Sequence, residues 1–239
     1  MHITEELLMK KKIIFPSELA YLLGIIILAF GSAFMEKADF GMSMVVAPAY
    51  LIHLKVSEYL PFYSFGMSEY VLQIFVLIAL GLVMGKFKKY YLFSFVTAVF
   101  YGIVLDLSMK MIASLPTVSM AYRVIWYLIG IFCCAVGISL LFHTYIAPEA
   151  YDLFVKELSA KTGKDINKIK TIYDICSCTA AVIISFAFYG FGNFVGVKAG
   201  TIICALVNGW LISICSRIFE SIFVFEDKLP FRKMQEAES

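Results

Sequence analysis

Long apolar runs separated by short charged stretches dominate the chain. Crossing the hydrocarbon core takes about 20 mostly apolar residues per helix, and backbone groups in lipid must be satisfied within their own segment. The runs therefore predict six spanning helices, over about residues 17–38, 68–86, 89–110, 122–145, 171–191 and 197–222. Pro16-Ser17 opens the first, Ser68-Glu69 opens the second, and the turn Lys86-Phe87-Lys88-Lys89 precedes the third. Two further stretches are too short to span. Residues 40–57 are broken by Gly41 and Pro48. In residues 148–166, Tyr151, Phe154, Val155 and Leu158 form a helical stripe opposite Asp152, Lys156 and Glu157. Each fits a re-entrant or interfacial segment, or an ordinary interfacial loop helix.

Composition agrees. Of 239 residues, 61% are hydrophobic and 16% charged, with a mean hydropathy of +0.86. A soluble domain carries about 45–50% apolar and about 25% charged residues. Soluble, collagenous, disulfide-rich and disordered classes are excluded. A net charge of +2 gives no ground for a nucleic-acid partner. The placement of charge says more. With the N-terminus taken as cytoplasmic, the inner loops and tails hold Lys10, Lys11, Lys12, Lys86, Lys88, Lys89, Lys156, Lys161, Lys164, Lys168, Lys170, Arg217, Lys228, Arg232 and Lys233. Only Lys37, Lys55, Lys110, Arg123 and Lys198 fall outside. That asymmetry places both termini inside, and a polar start lacking an apolar run with a cleavage site is not a signal peptide.

The halves repeat. Gly24 and Gly31 match Gly130 and Gly137; Glu69 and Gly85 match Asp174 and Gly190; Tyr101-Gly102 matches Asn208-Gly209. Three spans per half is an odd number, so the second half enters the membrane from the opposite side. The expectation is an all-α membrane protein of six helices in two inverted repeats of three, each with a short irregular segment after its first helix. Residues 1–16 are then a cytoplasmic segment, 17–118 and 119–223 the repeats, and 224–239 a cytoplasmic tail.

Ionisable and polar residues within spans are the candidates for a site. Glu69 and Asp174 pair across the repeat; the alternative is that each stabilises the dipole of its helix's first turn. Asn208 and Tyr101 pair likewise, as substrate contacts or interhelical glue, with Thr97 and Cys204 one turn earlier. Asp39, beside Glu36 and Lys37, shapes a mouth or is merely solvated. Asp106 reads as an i,i+4 partner of Lys110, and His143 as a satisfied residue rather than a relay. Gly81-x-x-x-Gly85 and Gly196-x-x-x-Gly200 permit close helix packing. Cys133, Cys134, Cys176, Cys178, Cys204 and Cys215 lack zinc-site spacing. With three histidines and none of the common hydrolase, metalloprotease or phosphate-loop motifs, neither an enzyme, a metal nor a cofactor is expected.

Lys37–Ser43, "KADFGMS", resembles the Ala-Asp-x-Gly-x-Ser element of the YczE-like, YitT-related bacterial membrane proteins, with an echo in Tyr145–Phe154 and Ser159–Thr171. The likeness runs over about residues 20–220. It departs where Met44, Val45 and Val46 replace the acid that usually follows the element, and where Tyr145 stands opposite Asp39. That family is largely uncharacterised, so the resemblance implies fold and a bacterial inner-membrane location. The architecture itself points to a permease or exporter of a small solute or ion, with its site between the repeats. The alternative is a non-transporting partner of another membrane complex, docking through Lys161, Lys164 and Lys168; a homo-oligomer is equally open.

Overall fold

A computed structural model describes residues 12–164 and 166–227. Lys10, Lys11, Lys228, Arg232 and Lys233, which entered the charge count, lie outside the described residues. In chain order the elements are β1 (Ile13–Pro16), α1 (Ser17–Ala38), α2 (Ala47–Ser57), α3 (Phe65–Met84), α4 (Tyr91–Ile112), α5 (Met120–Phe142), α6 (Ala150–Thr162), α7 (Ile166–Tyr189), α8 (Ala199–Ile222) and β2 (Phe223–Glu226). The chain is overwhelmingly helical, and α1, α3, α4, α5, α7 and α8 are each long and apolar enough to cross a membrane.

Two departures from expectation bear on function. Helix α3 starts at Phe65, because Ser64 Oγ accepts the Met67 amide at 3.1 Å and so caps it. Glu69 thus lies beyond the first turn. Helix α7 starts at Ile166, which places Asp174 two turns in. A dipole role confined to a first turn accounts for neither acid. The second departure is the small sheet. β1 pairs in parallel with β2, Ile13 against Phe223 through Pro16 against Glu226. Both are short β-branched and aromatic runs, and Phe15 packs on Phe223 and Phe225 at 5.0 and 5.8 Å between ring centroids. The segments entering α1 and leaving α8 therefore lie side by side.

Helices α1 and α5 run antiparallel at the centre. Half of each apolar window is buried, against 11% for α7 and α8. Their approach is set by glycine. A Cβ on Gly31 would stand 2.7 Å from the Cys134 amide and 2.9 Å from the Gly130 carbonyl; one on Gly137 would stand 2.7 Å from the Leu28 amide and 2.8 Å from the Gly24 carbonyl. Helix α4 packs on α1, α8 on α5, and α3 on α4. The short helices α2 and α6 each bridge α3 to α7. The expected Gly81-x-x-x-Gly85 contact is absent: Gly81 faces the Phe87 side chain, and Gly85 is a left-handed C-cap with nothing near its Cβ position.

Gly31→Ala and Gly137→Ala should each lower the thermal midpoint in detergent, since overpacking against backbone costs about 1–3 kcal/mol. Gly209→Ala meets nothing within 4 Å and should leave the midpoint unchanged or higher. Equal midpoints for all three variants would contradict a glycine-limited α1–α5 contact.

Candidate functional site

Where α3 meets α6, a buried polar cluster forms. Glu69 and Gln73, one turn apart on α3, are both fully buried. The Tyr151 hydroxyl of α6 donates to Glu69 Oε2 at 2.7 Å, and Gln73 Nε2 approaches the same oxygen at 3.5 Å. Gln73 Oε1 accepts the Ala150 amide at 3.0 Å, one of the orphan donors at the start of α6. Glu69 is thereby held against a helix start from the other half of the chain. Its second oxygen, Oε1, is buried without a hydrogen-bond partner.

A second acid joins it. Glu149 is the N-cap of α6, 7% exposed, and its Oε1 is also buried and unpartnered. Besides Glu69, the charged groups that act on Glu149 are Asp152 and Lys170. The segment before it is strung from α4. Thr97 donates to the Ala147 carbonyl at 2.9 Å, Ser94 donates to the Pro148 carbonyl, and Tyr21 meets Thr97 at 2.8 Å. The Ala147 and Pro148 carbonyls lie outside any helix, and hydroxyls from α4 supply their hydrogen bonds.

The remaining candidates scatter. Tyr101 is buried beside the cluster and donates to Ser32 at 2.8 Å. Asp174 pairs with Lys170 at 3.5 Å, and Lys170 reaches Asp152 at 3.0 Å, so this acid is matched by a cation as Glu69 is not. Asn208 Oδ1 is buried without a hydrogen-bond partner on α8, and Cys204 is buried one turn away. Asp39 stands at the far end of α1, where Arg123 binds it at 3.2 Å and Lys198 at 2.5 Å. There it borders a shallow cavity of about 540 Å³ with Glu36, Lys37 and Tyr50.

Other expectations resolve locally. Asp106 accepts the Gly66 amide at 2.9 Å, supporting the start of α3 in the place of a Lys110 pair. His143 meets Ser216 at 2.9 Å and stacks on Phe225 at 4.6 Å. The stripe on α6 is buried against protein, with Tyr151 and Val155 each 2% exposed. At the other end of α6, Glu157 accepts from Tyr90, from Tyr91 at 2.8 Å and from Lys88 at 3.1 Å. Among the described residues no group of three His, Cys, Asp or Glu side chains is arranged to hold a metal ion.

Partial burial raises the Glu157 carboxyl, but the Tyr90, Tyr91 and Lys88 donors outweigh it and leave the value below 4.5. A carboxyl lowered on folding stabilises above its unfolded value, and the benefit is lost as pH falls through the folded one. Thermal stability should therefore decline on the acid side of about pH 4.5, and Glu157→Gln should flatten that limb while lowering stability at neutral pH. An identical acid limb in the variant would refute the assignment.

No curated protein and no solved structure matches the chain. The model of a family of unknown function, DUF6198, matches residues 15–217. Covering α1 through α7, both Glu69 and Glu149, and most of α8, that match makes the chain a member of DUF6198.

Proposed function

We propose that this multi-span membrane protein is a permease of the bacterial cell membrane, with both termini cytoplasmic, moving a small solute through a site between two inverted repeats. The observation that carries the reading is Glu69, fully buried on a spanning helix of the first half and held by Tyr151 and Gln73 against the start of α6 in the second. Ionisable groups at membrane depth are costly and mark ion or substrate paths.

The repeat reading draws support from reciprocity. Gly24 faces Gly137 while Gly31 faces Gly130, and exchanging the matched glycines between halves reproduces the same pair of contacts. The two short helices fit re-entrant segments. The Met44 carbonyl, just before α2, accepts from Ser177 midway along α7, and the first amide of α6 binds Gln73 midway along α3. Both helices then begin near the middle of the membrane and run outward, with positive dipole ends inward. We read no enzymatic role into the chain. Kinship with the YczE-like, YitT-related proteins rests on the element at Lys37–Ser43.

One observation favours a membrane partner or a second copy instead: α7 and α8 bury far less than the central pair. The basic α6–α7 loop favours it less, because Lys161 is bound to the Val83 carbonyl at 2.5 Å.

Thermal-shift screening of the purified protein against small amines, amino acids and sugars should find a stabilising solute. Glu69→Gln and Tyr151→Phe should weaken its binding at least about tenfold, the loss of about 1.4 kcal/mol. Uptake into liposomes should fall in the Glu69→Gln, Asp174→Asn double variant. Unchanged binding and uptake in these variants would remove the site; a stoichiometric co-purifying protein covering α7 and α8, with no stabilising solute, would favour the partner reading.

A further inference from the structure

The charges around Glu69 and Glu149 do not balance. On α3 the pair has only Glu69 itself and the neutral Gln73. Helix α1 contributes Tyr21, α4 contributes Tyr101, and α5 contributes Cys134, all neutral groups within electrostatic reach of Glu149. Helix α6 adds Tyr151 and the further acid Asp152; α7 adds Tyr173, Asp174 and Lys170. Lys170 is the one cation of this set, and it is already engaged by Asp152 at 3.0 Å and Asp174 at 3.5 Å. Two carboxyls therefore remain, each with an unpartnered buried oxygen and no cation of its own. Gln73 ties them together, its Oε1 on the Ala150 amide beside Glu149 and its Nε2 toward Glu69. Two like charges so joined in a medium of low dielectric do not both ionise, so one of them keeps a proton.

We infer that Glu69 and Glu149 form a single proton-binding site, holding at least one proton between them at neutral pH and exchanging it with water as the coupling ion of the permease. The coupling role rests on the permease reading; the binding of the proton does not. The exchange is plain acid–base chemistry. A proton from water forms one O–H bond at Glu69 Oε1 or Glu149 Oε1, hydroxide passes to the bulk buffer, and release reverses the step. Tyr151 donates to Glu69 Oε2, which leaves Oε1 as the oxygen open to the proton.

The site predicts a stability profile as well as a spectrum. A carboxyl raised on folding stabilises fully below its unfolded value, and that contribution is lost as pH rises through the folded one. Infrared difference spectra of the full chain in nanodiscs, taken from acid to alkaline pH, should show a protonated carboxyl C=O band at neutral pH that disappears as pH rises. Glu69→Gln and Glu149→Gln should each remove or shift the band, and the double variant should abolish it. In parallel, wild-type thermal stability should decline on the alkaline side, a decline that Glu149→Gln reduces. This second measurement needs only wild-type protein for its first half, so it stands if a variant fails to fold. A band unaltered in both single variants, or a wild-type stability flat to alkaline pH, overturns the inference. So does a pair fully ionised at neutral pH and stabilised by sodium or potassium ions, which would make it a metal-cation site. A titrating band that both variants remove, with no solute-driven proton flux in liposomes, supports the proton site and counts against the permease reading alone.

Discussion

The distance between α1 and α5 governs much of what surrounds it. Apolar side chains gain little by leaving lipid for one another, so helix association in a membrane depends on close van der Waals contact and small residues. Gly31, Gly130 and Gly137 let two backbones meet where a Cβ would collide with a main-chain atom, and Gly24 where a Cβ would press tightly on the Gly137 carbonyl. The outer helices hang from this contact, α4 on α1 and α8 on α5. The packing of α4 on α1 brings Tyr101 to Ser32, and α4 in turn places Thr97 and Ser94 under the irregular segment that ends at Glu149.

A second constraint shapes the polar cluster. Non-helical backbone is tolerated inside a membrane protein only where other groups supply its missing hydrogen bonds. Thr97, Ser94 and Gln73 do so for the Ala147 and Pro148 carbonyls and the Ala150 amide. The donors and acceptors spent there are unavailable to the acids beside them. Glu69 receives Tyr151 and a long contact from Gln73, and the outer oxygen of each glutamate goes without. The cluster is thus well supplied where it supports the chain and undersupplied at two carboxyls.

What the sequence disclosed follows from how each signal is written. Spans are legible because hydropathy sums over twenty-odd positions, which tolerates shifted ends such as the capped start of α3 at Phe65. Glu69 was legible as a charge inside an apolar run. Glu149 was not, since it sits in a stretch whose Asp152, Lys156 and Glu157 make it look solvated. Tyr151 was seen only as part of a greasy stripe, and nothing in its spacing tells a lipid headgroup from Glu69 as its neighbour. The i,i+4 spacing of Glu69 and Gln73 was the available hint. Gly81-x-x-x-Gly85 misled because Gly85 serves a left-handed cap, a use of glycine that spacing does not distinguish from packing.

The parallel pairing of β1 with β2 has a consequence in time. Ser17 bonds Asp227 at 2.6 Å across 210 positions of sequence, so the first strand waits for its partner until nearly the whole chain has been made. During synthesis the residues beside Pro16 have an open edge of N–H and C=O groups, and closing it is among the most non-local contacts the fold contains. The ribosome must deliver α8 before β1 can pair, so the segment entering α1 is fastened late to the one leaving α8, as a clasp closes after the links of a bracelet are made.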